Sequence, residues 1–473
     1  MASSADLSRA SRAPSSSNSS ARTAGTVTPS KRLERALISG TLLLLLWLPL
    51  PLGSNRDWSM GLLVLLCGGL GAGWAVNALR RNRDLGPTLR PALPMLGLLL
   101  LSQVWVLLQW LTGRTVDTAA TFQYLMLGLA YSLLFLLVVD LFRTRKRLSL
   151  LLAVLVVSGT FQAFFGVAMT LSGVEGLLVG AKTSYLGDAT GTFVNRNHLA
   201  GYLELTLAAG VGLLLALRDE RPFRWVDVLE MLLGPKGRLR LALVLMTIAL
   251  VMSHSHMGNS AFFTSLLLVG GVFVLLNNKE QRLRNGLIIA GLLVIDLLVV
   301  SQFVGLDTFG NSAQAQAVLA DGQTPLAADE LRATVVKDAL PLAQEKLFTG
   351  HGAGTFEVVF GQFASADVTL HFDHAHNDYL QFLIEYGVLG SLPLLAFVLL
   401  GLYHAQRAMW QSESTYRAGI GLGASVGIVA LLIHSLADFN LQIPANAATY
   451  VVMCAMGVLA NHHYRDRRTR ARS

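Results

Sequence analysis

The sequence predicts an all-α polytopic membrane protein with about twelve transmembrane helices and one large, partly helical periplasmic loop. Three observations lead to this fold class: 53% of the 473 residues are apolar, only 14% are charged, and the apolar residues lie in long runs. So few charged side chains cannot cover the surface of a soluble protein of this length. The composition therefore excludes disordered, collagen-like, disulfide-framework and ordinary cytosolic proteins.

The apolar runs predict the individual spans. A hydrocarbon core about 30 Å thick requires roughly 20 apolar residues as helix, because no backbone polar group can stay unpaired there. Twelve segments meet this requirement: about 36–53, 59–79, 92–112, 119–142, 148–172, 197–217, 239–254, 259–276, 286–304, 383–404, 418–436 and 446–461.

The basic residues predict the orientation of these spans, because cytoplasmic loops hold the excess of Lys and Arg. The two tails and the even-numbered loops together carry 30 of the 37 Lys and Arg residues. Seven remain for the other face: Arg56, Arg114, Lys182, Arg196, Arg332, Lys337 and Lys346. Both termini are therefore expected in the cytoplasm, and the odd-numbered loops outside it.

The positions of the basic residues argue against nucleic-acid binding, and the positions of the cysteines exclude a disulfide framework and a zinc site. The formal charge of +8 would favour nucleic-acid binding if the basic residues formed one surface, but they fall between the apolar runs. Cys67 and Cys454 both lie inside apolar runs, so they form neither a disulfide framework nor a zinc site. We therefore expect no nucleic acid among the partners.

The predicted chain has five parts. A disordered cytoplasmic tail (1–35) precedes the first nine transmembrane helices (36–304), a periplasmic loop (305–382) and the last three helices (383–461), and a basic cytoplasmic tail (462–473) ends the chain. The loop is nearly 80 residues long, and a loop of this length is usually functional or disordered. Its apolar spacing between Asp329 and Lys346 predicts a helix, which favours order.

The densest polar cluster of the sequence follows in this loop, from His371 to Asp378, next to the tenth span. Three interpretations compete. Imidazole and carboxylate groups could bind a metal, although no recognised ligand spacing is present. Asn377 or Asp378 could cap the helix of span ten. A histidine could act as a base, because imidazole takes a proton near neutral pH.

Two other outward-facing segments carry polar residues. Gly191 to His198 leads into span six, and Ser253 to Asn259 forms the turn between spans seven and eight. Arg196 and Arg332 could clamp an anionic group, since guanidinium is suited to bidentate contacts. Lipid snorkelling or a surface ion pair is the alternative for each arginine.

The sequence resembles the O-antigen ligase and O-antigen polymerase superfamily of bacterial envelope glycosyltransferases. His376-Asn377, nine residues and Gly387-Val388-Leu389-Gly390 are similar to the family signature His-Asn-x9-Gly-x-x-Gly. Gly191 to Ala200 resembles a second family segment, and Arg332 and Gly350 to Phe356 resemble its outer-loop pattern. Two residues depart from the family: the turn between spans seven and eight has His256 where members usually have an arginine, and Val336 lies where ligases often have leucine.

The resemblance implies transfer of a glycan from undecaprenyl pyrophosphate to an acceptor sugar hydroxyl, outside the inner membrane and without metal or other cofactor. His376, Arg332 and Asn377 are then the expected catalytic residues: a base, a pyrophosphate ligand and a residue that orients the base. The expected substrate-binding residues are Arg196, Asn195, Asn197, His256, His374 and Asp373.

Several alternatives remain open at this point. The acceptor could be the lipid A core, a growing lipid-linked polysaccharide or a protein. A lipid-linked oligosaccharide flippase without transferase activity is the alternative function. A transporter usually concentrates ionisable residues near the membrane midplane, where this chain has chiefly Glu204 and Asp296.

Overall fold

The structure is a computed structural model that describes residues 29–81, 88–178, 180–217, 237–276, 282, 286–287, 290–291, 328–363, 371–411 and 414–462. Within these ranges the chain is almost entirely helical. The helices are α1 (Pro29–Trp47), α2 (Asp57–Arg81), α3 (Leu89–Leu111), α4 (Thr118–Leu141), α5 (Arg145–Ser172), α6 (Arg196–Ala216), α7 (Gly237–Met252), α8 (His256–Leu276), α9 (Ala328–Glu345), α10 (Phe356–Phe360), α11 (Asp378–Gln411), α12 (Thr415–His434) and α13 (Pro444–Asn461).

Short elements join some of these helices. The 3₁₀ turns Leu52–Ser54 and Asn440–Gln442 follow α1 and α12. Two antiparallel strands, β1 (Gly176–Leu177) and β2 (Gly180–Ala181), form a small hairpin between α5 and α6.

Eight of the described helices are long and apolar enough to cross a membrane, namely α2, α3, α4, α5, α6, α8, α11 and α12. The prediction of an all-α, multi-pass membrane protein is therefore confirmed. Helices α1, α7 and α13 coincide with three further predicted spans. The predicted span 286–304 lies mostly outside the described residues, so the count of twelve stays a prediction.

Four predicted boundaries differ from the structure by five residues or more, and one of them is the end of α11 at Gln411 instead of residue 404. Residues 29–35, expected in the disordered tail, belong to α1, where Glu34 is buried and pairs with Arg147 Nη1 at 2.6 Å. This helix ends at Trp47 and not at residue 53, because Pro49 and Pro51 cannot continue it. Helix α11 begins at Asp378 and not at residue 383, since the polar residues before the apolar run belong to the helix.

The odd-numbered connections meet at one end of the helix bundle, which we call the site end. There the Val116 N–H donates to the carbonyl of His351, and the Ala189 N–H donates to the carbonyl of Met252. At the start of α12, Arg417 donates to the carbonyls of Ala460 and Asn461 at the end of α13. The alternation inferred from the basic residues stays a prediction.

Gly387 places the start of α11 against the connection that follows α9. Its φ of +61° lies in the left-handed region, and a Cβ there would overlap the carbonyl of Phe348. The His351 N–H donates to the carbonyl of Ile384, on the same turn of α11. The glycine thus lets α9 and the following loop cover the site end of α11.

Candidate functional site

The site is built where the start of α11 meets residues 435–443, the connection between α12 and α13. The buried carboxyl group of Asp378 accepts hydrogen bonds from Ser435 Oγ at 2.8 Å and the Leu441 N–H at 3.1 Å. In return, the Asp378 N–H lies 3.0 Å from the carbonyl of Ser435 and 3.2 Å from that of Asp438. These bonds fix the His376 segment on the α12–α13 connection.

His376 lies against the α12–α13 connection in a specialised backbone conformation. Its φ of +50° is uncommon for a residue other than glycine, and such conformations cluster at functional sites. Its Nδ1 is 3.8 Å from Asp438 Oδ1, and its ring packs edge-on against Phe439. The His376 side chain is 13% exposed, whereas the Asp438 side chain is 1% exposed. A buried carboxylate therefore faces an imidazole that solvent can still reach.

Asp438 is held in its charged form. Burial acts to raise the pKa of Asp438, but contact with His376 and the charges of His198 and His434 outweigh burial and hold the pKa well below its usual value. Its Oδ1 also accepts a hydrogen bond from the Phe439 N–H at 2.8 Å. The carboxylate can therefore stabilise a positive charge on His376.

His374 lies on the other side of Phe439 and has a fixed tautomer. Its ring stacks on Phe439 at 4.3 Å, and its Nδ1 accepts from Gln381 Nε2 at 2.9 Å. The same amide donates to Glu385, and its oxygen accepts from the Ala375 N–H, so the amide orientation is determined. Burial lowers the pKa of His374 to about 4, and the ring is neutral at neutral pH.

A buried acid–base pair lies inside the bundle behind Asp438. Glu204 of α6 and His434 of α12 are fully buried, and His434 Nδ1 is 2.6 Å from Glu204 Oε1. The other ring nitrogen of His434 lies 3.8 Å from Asp438 Oδ2. Asp438 thus stands between two histidines, one facing solvent and one inside the membrane-spanning bundle.

Arg196 forms a second polar group at the start of α6. Its Nη1 contacts Asp188 Oδ2 at 2.9 Å, and the other oxygen of Asp188 lies 2.7 Å from His254 Nδ1. Arg196 Nε is buried without a hydrogen-bond partner among the described residues. This nitrogen can serve a ligand.

Tyr185 connects Arg196 with Arg332. The guanidinium of Arg196 lies 5.6 Å from the centre of the Tyr185 ring, and Arg332 is hydrogen-bonded to the Tyr185 hydroxyl. Burial and the charge of Asp438 raise the pKa of Tyr185, while both arginines lower it. Two arginines that are 136 positions apart in sequence therefore converge on one tyrosine, and we call Arg196, Arg332, His254, Tyr185 and Asp188 the arginine group.

The predicted asparagines use their side chains to begin helices. Asn195 Oδ1 accepts from the Asn197 N–H at 2.8 Å and caps α6. Asn377 Oδ1 accepts from the Leu380 N–H at 2.9 Å, and its Nδ2 donates to the carbonyl of Leu436. The capping interpretation of Asn377 is confirmed, and any effect of Asn377 on His376 acts through the backbone. Asn197 is buried in the first turn of α6.

The remaining predicted residues lie at the surface. His371 Nε2 is 2.8 Å from Glu357 Oε1 and 3.1 Å from Asp373 Oδ1, and all three side chains are exposed. They are the one group among the described residues whose ligand atoms lie close enough for a metal. His374 and His376 lie apart from this group and pack on Phe439. The metal interpretation required His371, Asp373, His374 and His376 to meet, and they do not. His256 is exposed in the first turn of α8.

Several residues of the site were missed by sequence reasoning. Tyr185 and Asp188 come shortly before the Gly191 segment, and His254 is two residues before His256. Glu204 was noted only as an ionisable residue inside a span, and His434 and Asp438 were not noted. The positions of Glu204, His434 and Asp438 were a signal, because ionisable residues within or beside a span are functional candidates by default.

One comparison with known proteins bears on this site. Residues 241–395 match the family model described as O-antigen ligase, and this range includes Arg332, His374, His376 and Gly387. The resemblance to the O-antigen ligase and polymerase superfamily is confirmed by this match. The Gly191 to Ala200 segment precedes the matched range. No curated protein matches the chain.

Proposed function

We propose that this chain, which carries an O-antigen ligase domain at residues 241–395, is an inner-membrane glycosyltransferase with its active site facing the periplasm. It moves a glycan from undecaprenyl pyrophosphate to a sugar hydroxyl of the lipid A core or a growing polysaccharide. One observation carries this proposal: Arg196 and Arg332 both contact Tyr185. The charge of Asp438 raises the pKa of the same tyrosine, and Asp438 is the partner of His376. A site for an anionic group thus adjoins a site for a base.

The arginine group holds the pyrophosphate of the donor. Guanidinium groups bind phosphate oxygens through parallel hydrogen bonds, and the Arg196 Nε is available for this purpose. Because pyrophosphate is already a good leaving group, charge stabilisation and positioning are the main tasks of these residues.

His376 accepts the proton of the acceptor hydroxyl. The acceptor oxygen forms a bond to the anomeric carbon of the donor sugar as the bond from that carbon to the pyrophosphate breaks. Undecaprenyl pyrophosphate leaves with the electron pair, and the proton stays on His376 Nε2, since Nδ1 faces Asp438. The Asp438 carboxylate stabilises the imidazolium that forms.

The decisive experiment is a transfer assay with purified protein, lipid-linked donor and acceptor. His376→Ala should retain donor binding and lower transfer by about 10²- to 10⁴-fold, the usual contribution of a positioned base. His374→Ala should cost less, and His371→Ala, in the same loop but exposed, is the matched control with wild-type activity. Transfer by His376→Ala at the wild-type rate would remove the catalytic assignment.

Metal independence is a separate part of this proposal. Because the chemistry needs only a base and cationic groups, a chelator should leave the transfer rate unchanged. Loss of transfer in chelator, with recovery on adding a divalent ion, would instead favour a metal held by Glu357, His371 and Asp373.

A further inference from the structure

An apolar cavity of about 380 Å³ lies beneath the candidate site, between α3, α4, α11, α12 and α13. Its walls are mostly leucine, phenylalanine and tyrosine side chains. At the site end it is bounded by Asp378, Ser435 and Gln442, which hold the His376 segment in place. The cavity therefore ends directly below the residues that position the candidate base.

The cavity opens sideways along α11. Three of its lining side chains, Tyr379, Leu392 and Leu395, are 40%, 59% and 42% exposed. In a membrane-spanning helix such exposed apolar side chains face lipid. A hydrocarbon chain can thus enter the cavity from the bilayer without crossing a polar surface.

The cavity and the candidate site use different residues of the α12–α13 connection. Leu441 and Gln442 of this connection line the cavity, whereas Asp438 and Phe439 contact the histidines. No residue of the arginine group lines the cavity, and the ionisable group at its end is the carboxyl group of Asp378. An apolar chain is favoured there, and a pyrophosphate is not.

One polar side chain inside the cavity indicates the class of chain. Gln103 is 6% exposed, lines the cavity beside Gly128, and its Oε1 has no hydrogen-bond partner among the described residues. It lies eight residues before the end of α3, about 12 Å below the site end at 1.5 Å per residue. A polyprenyl chain has no donor for this amide oxygen, whereas the hydroxyl or amide N–H of an acyl chain can donate a hydrogen bond to it.

We propose that this cavity binds an acyl chain of the lipid that carries the acceptor sugar, so that donor and acceptor approach His376 from opposite sides of the α12–α13 connection. This inference rests on the proposed function and selects an acylated glycolipid as the acceptor. The donor's polyprenyl chain remains on the side of the arginine group.

Cavity filling tests the proposal in the transfer assay. Val398→Trp fills the cavity and Leu392→Trp blocks its opening, whereas Leu399→Trp adds the same side chain next to Val398 but outside the cavity. Both cavity variants should raise the KM for lipid-linked acceptor at least about tenfold, and Leu399→Trp should not. The KM for donor, and transfer to the same oligosaccharide freed from its lipid, should stay at wild-type values. Gln103→Leu should raise the KM for lipid-linked acceptor about three- to tenfold.

A labelling experiment separates this proposal from the proposed function, because it does not need activity. The probe is a synthetic diacyl glucolipid with a diazirine in its acyl chains, cross-linked to purified wild-type protein. Label should map to α11 near Leu392, compete with the unlabelled glucolipid, and disappear in Val398→Trp but not in Leu399→Trp. Displacement by undecaprenyl pyrophosphate and not by the glucolipid would assign the cavity to the donor. Labelling that survives in Val398→Trp would overturn the proposal outright.

Discussion

Asp438 Oδ1 lies 3.8 Å from Nδ1 of His376, and the carboxylate is buried while the imidazole is not. The pair joins two connections that are more than 60 residues apart in the sequence. It gives the candidate base a fixed orientation and a compensating charge.

Asp438→Asn should lower transfer, but by less than His376→Ala. The amide can still accept from the Phe439 N–H, so the fold is retained, but it cannot stabilise a positive charge on His376. The acid limb of the pH–activity profile should therefore move to lower pH. The pKa of Asp438 is lowered, so this carboxylate stays charged in the wild type down to strongly acidic pH. Titration of Asp438 itself therefore does not produce the acid limb of the wild-type profile.

The matched control for this variant is Asp117→Asn, which removes a carboxylate from the N-cap of α4 at the same end of the bundle. Its pH profile should match the wild type. An unchanged profile in Asp438→Asn would show that Asp438 does not act through His376.

Arg332→Ala should weaken donor binding as well as turnover, because the removed contact stabilises a charge that exists in both the ground state and the transition state. Arg332→Lys should recover only part of the loss, since an ammonium group lacks the bidentate fork. Binding of undecaprenyl pyrophosphate and steady-state rates are measured together. Lys337→Ala, an exposed position on the same helix, is the control. Full activity of Arg332→Lys would contradict bidentate binding.

His256→Arg tests the main departure from the family pattern. If the His256 imidazolium contacts the pyrophosphate, the arginine variant should stay active and its rate should no longer rise toward acidic pH. His254→Gln should be impaired at every pH, because the His254 ring contacts Asp188 inside the arginine group. An inactive His256→Arg variant would mean that the turn is built differently here and that His256 does not take the place of the family arginine.

The orientation in the membrane is tested with reporter fusions. The partition of basic residues predicts that Arg145, between α4 and α5, faces the cytoplasm, and that Gly113, between α3 and α4, faces the periplasm. Alkaline phosphatase should be active when fused at Gly113 and inactive at Arg145. The reverse pattern would invert the topology and place the candidate site in the cytoplasm.

The sequence alone determined the helices, because hydrophobicity along a helix is a local property. It predicted the described spans to within a few residues, except at both ends of α1 and of α11, where Pro49, Pro51 and the capping residue Asn377 set two of the ends. The family match likewise depends on a local pattern around His376 and Gly387.

Only the tertiary structure decided which residues pair with His376 and which form the arginine group. Asp438, Tyr185, Asp188 and His254 come from three connections whose meeting depends on how the helices pack, and no residue spacing in the sequence encodes that packing. The pair of Glu204 and His434 has the same origin, since α6 and α12 contact each other although they are some 200 residues apart. Apolar periodicity determines which face of a helix is buried, but the shapes of the buried side chains determine which helix packs against that face. The polar residues at the helix ends are brought together as a result of that choice.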